Sequence, residues 1–332
     1  MVSAGTLATS GGAAIPDASP IAVAADAVLQ VAGNETVRSL SGGGSVILAQ
    51  GVLTVGANDA SSTFSGTISG SGGLAKIGSG TLTLSGVNTF TGGTTASGGT
   101  LSINTLSDVP GQVSALGTSG TITVSSATFQ YTGSATASTS RYNGGGSGGG
   151  IAGTTVIDVS QAAGSLTLVG GYNNYNQNLS KIGQGTLALS GVNVYGWGSV
   201  GVHGGTLVLA AKETNSALYT TISDISAVDV GATLRFAPYS DGVYYYQMNQ
   251  NGDFNFTMTG GTLDLNGDSL GGQKISAPSG TGVITNSATV PARSRWSLAP
   301  PPPIRGHPWA RHGSSPATTP TAAGRRSPEA QP

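Results

Sequence analysis

The hydrophobic residues of this chain alternate with polar ones over short stretches, as in the segment TLTLS at residues 81–85. A period of two residues predicts a β-strand with one buried side and one solvent-facing side. A strand of this length cannot bury its leucines alone, because it needs neighbouring strands along its edges. The pattern therefore predicts many short strands that share one core.

The same alternating pair of apolar residues returns about every 20 residues, which is the period of a solenoid. In a solenoid each coil buries its apolar side chains against the coils above and below. We expect a right-handed parallel β-helix of roughly fourteen coils, with Leu82, Leu101 and Ile122 stacked on one interior wall. The copies are Leu82/Leu84, Leu101/Ile103, Ile122/Val124, Leu166/Leu168, Leu187/Leu189, Leu207/Leu209 and Val228/Val230.

Two segments interrupt the repeat. A glycine-rich stretch at 143–153 lies in the long gap between the third and fourth copies, and there we expect one distorted coil. Residues 291–332 hold ten of the fifteen prolines, a density that is incompatible with sheet ladders, and we interpret them as a fragment end or an out-of-frame segment. The predicted domains are a β-helix over 1–288, with its clearest copies at 64–103 and 166–209, and a disordered Pro/Arg-rich tail over 289–332.

The composition agrees with an all-β protein. Glycine accounts for 55 of the 332 residues and only 8% are charged, so long helices have few suitable residues. The lack of cysteine excludes thiolate metal sites, a thiol nucleophile and disulfide bonds. We expect neither a transmembrane helix nor a signal peptide in this chain, because it has no long apolar run and no basic, hydrophobic leader after Met1.

Two long phrases repeat each other in register: KIGSGTLTLSGVNTFTGGTTASGGTL at 76–101 and KIGQGTLALSGVNVYGWGSVGVHGGTL at 181–207. Their SGVN segments, at 85–88 and 190–193, are predicted to form corners in which Gly and Asn supply a positive φ. The phrases resemble the passenger-associated transport repeat of bacterial autotransporters. The second copy differs by an insertion of one residue and by Gly196-Trp197 at the usual aromatic-x-Gly position.

That resemblance implies a pectin-lyase-like β-helical stalk that a Gram-negative bacterium exports across its outer membrane. The expected location is the cell surface, the outer membrane or the medium. In that family a C-terminal outer-membrane β-barrel exports the passenger, and we expect this barrel to be absent from the chain.

Candidate chemistry is sparse. Catalysis on a β-helix requires two or three carboxylates, or carboxylates with Arg or Lys, gathered in one groove. The acidic residues here are spread singly, and the nearest pairs are Asp224 with Asp229 and Asp264 with Asp268. The segment 264–268 lacks the glycine and glutamate of a calcium-binding loop, so a structural turn is favoured. We predict no catalytic residue, no metal or cofactor, and an exposed corner position for His203.

Tyrosine-rich segments that break the repeat are the candidate binding surface. Insertions in a solenoid usually form surface loops, and exposed Tyr with Asn or Gln suits contacts with sugars or proteins. The alternative is that the tyrosines pack against the helix. The candidate residues are Tyr172, Tyr175, Tyr239, Tyr244, Tyr245 and Tyr246.

These observations predict a non-enzymatic, monomeric passenger segment that serves display or adhesion and its own outer-membrane export. Its expected partner is a glycan or protein on a host or cell surface, and not a nucleic acid. Three alternatives stay open: a polysaccharide-acting β-helix enzyme, an inert stalk that only assists secretion, and a truncated fragment without independent function.

Overall fold

The computed structural model describes residues 1–109, 111–143, 153–170, 173–192, 195–212, 222–237, 256–266, 279–285 and 287. The chain divides into one unit over Met1–Leu298 and another over Ala299–Pro332, and all the described residues lie in the first. The predicted tail, residues 289–332, and the polyglycine run at 144–152 lie outside the described residues.

The described residues form short strands that pair in parallel, with one 3₁₀ turn at Ala57–Asp59. They contain no helix that is long and apolar enough to span a membrane. The first thirteen strands are β1 (Gly5–Ser10), β2 (Pro20–Val23), β3 (Ala27–Ala32), β4 (Glu35–Val37), β5 (Ser39–Gly42), β6 (Ser45–Gln50), β7 (Val52–Val55), β8 (Ser62–Phe64), β9 (Thr67–Gly70), β10 (Gly73–Lys76), β11 (Thr81–Leu84), β12 (Thr94–Ala96) and β13 (Thr100–Ile103).

The second half of the chain continues the same architecture, with strands of two to ten residues. These are β14 (Ile122–Val124), β15 (Thr128–Tyr131), β16 (Thr136–Thr139), β17 (Tyr142–Asn143), β18 (Thr154–Val159), β19 (Ser165–Val169), β20 (Asn173–Ile182), β21 (Thr186–Val192), β22 (Tyr195–Val202), β23 (Thr206–Lys212), β24 (Ile222–Val228), β25 (Thr233–Phe236), β26 (Thr257–Asp264) and β27 (Ser279–Thr285).

Four parallel sheets run along the solenoid, and successive strands of the chain move from one sheet to the next. Sheet 1 has the order β1-β3-β6-β9, and sheet 2 has the order β17-β14-β12-β10-β7-β4. Sheet 3 has the order β2-β5-β8-β11-β13-β15-β18-β20-β22-β24, and sheet 4 has the order β16-β19-β21-β23-β25-β26-β27. This arrangement confirms the predicted all-β parallel solenoid.

All the apolar positions of the repeat except Val230 are buried, as predicted, and they stack in register with other strands. In sheet 3 Leu82 lies beside Leu101, but the next residue in that stack is Phe129 and not the predicted Ile122. Ile122 is also fully buried, yet it belongs to sheet 2, where it pairs with Thr94. The prediction of one interior wall was therefore wrong for the third copy, because the chain makes an excursion between β13 and β14, described at 104–109 and 111–121, before the coil resumes.

Sheet 4 contains the most regular stack. Leu187 pairs with Leu166 on one side and Leu207 on the other, and all three side chains are fully buried. The stack continues through Leu234 to Leu263. Continuous burial of this kind is the source of solenoid stability, since each coil contributes an interface to its neighbours.

The last predicted pair, Val228/Val230, was only half right. Val228 is buried and pairs with Val202 in sheet 3, whereas Val230 is 79% exposed at a corner. The apolar pair that continues sheet 4 is Leu234 with Phe236, which follows that corner.

Within the described residues, fewer turns are seen than the roughly fourteen expected over 1–288. The longest sheet there has ten strands, one for each turn, from β2 to β24. Regular turns have the expected length, but Leu101 and Phe129, which are neighbours in sheet 3, are 28 residues apart in sequence. Long turns of this kind contain surface excursions, and they reduce the number of turns that the chain can build.

Candidate functional site

The lysine that opens each repeat phrase lies inside the solenoid. Lys76 is 1% exposed at the end of β10, and its backbone neighbours in the ladder are Val55 and Ala96. Its ammonium donates hydrogen bonds to the carbonyl oxygens of Ile77 at 2.7 Å, Gly78 at 2.9 Å and Gly98 at 3.1 Å. Three N–H donors of one lysine therefore meet three backbone acceptors.

The second copy builds the same arrangement. Lys181 is fully buried, and its ammonium donates to the carbonyl oxygens of Ile182 at 2.7 Å, Gly183 at 3.0 Å and Gly204 at 3.0 Å. Burial lowers the pKa of Lys181 to about 8, an effect that the Asp158 carboxylate opposes. At neutral pH the group is therefore still mainly protonated.

The two copies occupy different sheets. Lys76 is the last residue of β10 in sheet 2, and the following TLTL strand lies in sheet 3. Lys181 is the last residue but one of β20 in sheet 3, and the following TLAL strand lies in sheet 4. The repeat phrase thus specifies a local corner between two strands rather than one face of the solenoid.

Asn88 of the first SGVN segment is buried and has a role that the sequence prediction misassigned. Its φ is not positive. Its side chain accepts a hydrogen bond from the Ile68 N–H at 2.7 Å and donates one to the Ala115 carbonyl at 2.6 Å. The asparagine therefore replaces strand hydrogen bonds and connects the corner to the excursion at 104–121.

Asp108 and Arg141 fasten that excursion to the solenoid. The Arg141 Nε donates to Asp108 at 2.7 Å, and the same guanidinium donates to the carbonyls of Leu116 and Ser119. Burial would raise the pKa of Asp108, but hydrogen bonds from Arg141, from the Ser140 N–H and from Thr139 hold it below its usual value.

Replacement of Asp108 by Asn should weaken this attachment. The carboxylate accepts several hydrogen bonds from partly buried donors, so we expect a loss of about 1–3 kcal/mol in the free energy of unfolding at pH 7. Because the folded-state pKa is depressed, this contribution is present above about pH 4 and is lost as the pH falls through the folded-state pKa. Urea denaturation between pH 7 and pH 3 measures both effects.

The control is Asp59→Asn, which removes an exposed carboxylate that accepts one backbone hydrogen bond, from Ser79 at 2.7 Å. We expect a smaller loss of stability from this change. Equal stability of the Asp108→Asn variant and the parent at pH 7 would contradict the fastening role of Asp108.

Asp229 and Asp264, one from each acidic pair weighed for catalysis, have separate basic partners. Asp229 contacts His203 at 2.7 Å, Asp264 accepts from the Arg235 Nε at 2.8 Å, and His203 is exposed. Asp264 also accepts the N–H groups of Asn266 and Ser287, which fits the predicted structural turn. Within the described ranges, no three His, Cys, Asp or Glu side chains gather as a metal site. Asp268 lies outside those ranges.

The predicted tyrosine surface falls mostly outside the described residues. This applies to Tyr172, Tyr239, Tyr244, Tyr245 and Tyr246. The backbone of Tyr175 belongs to strand β20. The excursion was missed as a surface feature, because Ile122 follows Leu101 at the regular spacing of the repeat, and the 28-residue separation of Leu101 from Phe129 is visible only in the strand register of the structure. It exposes Val109 and Val113, while Val87 is exposed next to Asn88.

Comparison with known proteins supports the resemblance drawn from the two phrases. Residues 74–103 and 179–209 match the family described as Passenger-associated-transport-repeat. The chain is also similar to Adhesin BmaC autotransporter from Brucella suis biovar 1 (strain 1330), with 36% identity over 155 residues. This match covers 43% of the chain but only 4% of that much longer protein. No solved structure matches the chain significantly.

Proposed function

We propose, on the premise that this chain is autotransporter passenger sequence carrying two passenger-associated-transport repeats, that its solenoid displays adhesive loops at a bacterial surface. The proposal adopts for this chain the adhesive role that the name of its Brucella relative gives to that protein. We place the displayed chain on the outer membrane or outside the cell, and we propose that it acts without enzymatic activity.

The observation that carries the proposal is the uninterrupted stack of parallel strands. The ten strands of sheet 3 pair one after another from β2 to β24. The pairing continues on both sides of the excursion between β13 and β14. A stack of this kind forms a stiff scaffold, because every interior coil is held by backbone hydrogen bonds and apolar contacts on both sides. A stiff scaffold with surface loops suits the presentation of binding residues.

The length of chain between two stacked strands supports a projecting loop. Leu234 and Leu263 are neighbours in sheet 4 but are 29 residues apart in sequence, about eight more than in a regular turn. The sequence between these two leucines includes Tyr239, Tyr244, Tyr245 and Tyr246. Since a regular coil has no room for them, we propose that they project as a loop that contacts a glycan or a protein.

The same scaffold suits export. In a solenoid each turn contacts only its neighbours, so folding can proceed turn by turn as the chain emerges from a membrane. We propose that the stacking of successive turns assists the passage of the passenger across the outer membrane.

Adhesion is tested with the purified full chain on fluorescent beads. We expect the beads to bind cultured epithelial cells, and we expect a variant with the six candidate tyrosines changed to serine to lose at least about tenfold in binding, as removal of aromatic contact residues does. The matched control replaces the exposed Val87, Val109 and Val113 by serine and should bind as the parent does.

Two outcomes would overturn the proposal. Binding no greater than that of albumin-coated beads would contradict adhesion and favour an inert stalk or a fragment without function. Release of reducing ends from bacterial or host polysaccharides by the full chain would favour the polysaccharide-acting alternative.

A further inference from the structure

The corners that follow Lys76 and Lys181 share a feature that the adhesive role does not explain. In each corner, three backbone carbonyl oxygens converge on one point inside an apolar solenoid. All three distances to the lysine nitrogen fall between 2.7 and 3.1 Å in both copies. Such agreement between copies in different sheets indicates a built site.

We propose that each passenger-associated-transport repeat contains a carbonyl cage that binds a primary ammonium, which the chain itself supplies through Lys76 or Lys181. The cage consists of the carbonyls at the two positions after the lysine and of one carbonyl from the next turn, at Gly98 or Gly204. It therefore bonds two successive turns through one cation.

The chemistry of the cage matches a primary ammonium. An ammonium has three N–H donors and no acceptor, and the site offers three acceptors. A carboxylate would be repelled, and a hydroxyl or a neutral amine would leave at least one carbonyl without a donor. Hydrogen bonds to a charged group are stronger than neutral ones, which compensates for moving the charge out of water.

The glycines of the phrase shape the cage. Gly78 and Gly183 have φ of +69° and +75°, which turns the backbone so that two consecutive carbonyls face the lysine. Gly99 and Gly205 both have φ of +59°, and a Cβ on either would lie 2.2–2.3 Å from the carbonyl oxygen of Gly80 or Gly185. The K-x-G-x-G spacing and the later G-G pair are thus explained as parts of one cation site.

Other charged groups around each cage do not replace the carbonyls as partners. Asp59 lies near Lys76 and Asp158 lies near Lys181. Each carboxylate affects the pKa of its lysine only through a coulombic interaction. The Asp158 carboxylate accepts its hydrogen bond from the Gln130 amide at 2.8 Å. The ammonium is therefore held by backbone dipoles and not by an ion pair.

Chemical complementation tests the cage directly. Lys181→Ala removes the ammonium and leaves the space of a propyl chain, so its thermal midpoint should fall by roughly 5 °C. Propylammonium should raise that midpoint by about 3 °C more than it raises the midpoint of Lys181→Met, whose side chain fills the space without a cation. Propanol, which has the same shape with one hydroxyl donor, should have no such effect. Equal responses of both variants to propylammonium would overturn the proposal.

A measurement on the unaltered chain covers the case in which Lys181→Ala does not fold. The burial of Lys76 and Lys181 and their hydrogen bonds to the cage should protect both amines from a water-soluble acylating ester. We expect each of the two lysines to react at least about a hundredfold more slowly in the native protein than the same lysine does in the chain unfolded in urea, after the rates are scaled to those of the exposed N-terminal amine of Met1 under each condition. Equal scaled rates in the native and the unfolded chain would contradict an occupied cage.

Discussion

Replacement of Leu187 by Asp is expected to destabilise the solenoid by at least about 4 kcal/mol. Leu187 is fully buried between Leu166 and Leu207, and its side chain faces no polar partner in the stack. The change loses the apolar contacts of the leucine and places a carboxylate in an apolar interior, where it must either remain unpaired or take up a proton. Urea denaturation followed by circular dichroism measures the loss.

The matched control for this change is Ala188→Asp. Ala188 is the next residue of β21, and its side chain points to the outer side of the sheet, where it is half-buried. A carboxylate there stays in contact with water, so we expect a change of less than about 1 kcal/mol. If both variants had the same urea midpoint, the assignment of inward and outward positions would be wrong.

The effect of Leu187→Asp should also be local along the chain. A solenoid is held by contacts between neighbouring turns, so damage in one turn weakens the adjacent interfaces most. Hydrogen exchange is therefore expected to rise most in β19, β21 and β23, and least in the first turns around β3 and β6. This gradient distinguishes a solenoid from a single globular core, which would lose protection throughout.

The inward positions could be predicted from sequence because strand alternation is a local property. Leu82, Leu166 and Leu187 each lie in a stretch of strict alternation, and each is buried. The face that a strand occupies is not local. An apolar pair such as Ile122 and Val124 fits the interior of any sheet, so its place depends on the length of the excursion before it, which the alternation does not report.

The buried lysines illustrate what the sequence contained and what it could not decide. Leu74 and Lys76 are two residues apart in β10, and Leu179 and Lys181 have the same relation in β20, so alternation places both lysines inside. A lysine in the core is costly unless its charge is satisfied. The carbonyls that satisfy it come partly from the next turn, and their convergence depends on backbone conformation that only the structure shows.

The corner glycines were predicted for a partly wrong reason. In the second SGVN segment Gly191 has a φ of +117°, as the prediction required. In the first, Gly86 does not have a positive φ. A Cβ on Gly86 would instead lie 1.8 Å from the carbonyl oxygen of Gly66 in the preceding turn. Glycine is needed there because two turns approach each other too closely for any side chain.

The same close approach recurs between the preceding turns. We therefore expect that adding a single methyl group at this corner causes a large loss of stability. A Cβ on Gly66 would in turn lie 1.9 Å from the carbonyl oxygen of Gly44, so three glycines of successive turns are stacked. Gly86→Ala must therefore displace the backbone of one turn relative to the next. We expect a loss of roughly 3 kcal/mol in the free energy of unfolding, measured by urea denaturation.

Gly43→Ala provides the matched control for Gly86→Ala, since the two changes add the same methyl group to corners of the same solenoid. A Cβ on Gly43 would meet only the Ser65 hydroxyl, at an ordinary contact distance of 3.6 Å. We expect this variant to lie within about 0.5 kcal/mol of the parent. If Gly86→Ala changed the free energy of unfolding as little as Gly43→Ala does, the turns would be able to separate at the corner without a loss of stability. That result would also remove close stacking as the reason for glycine there.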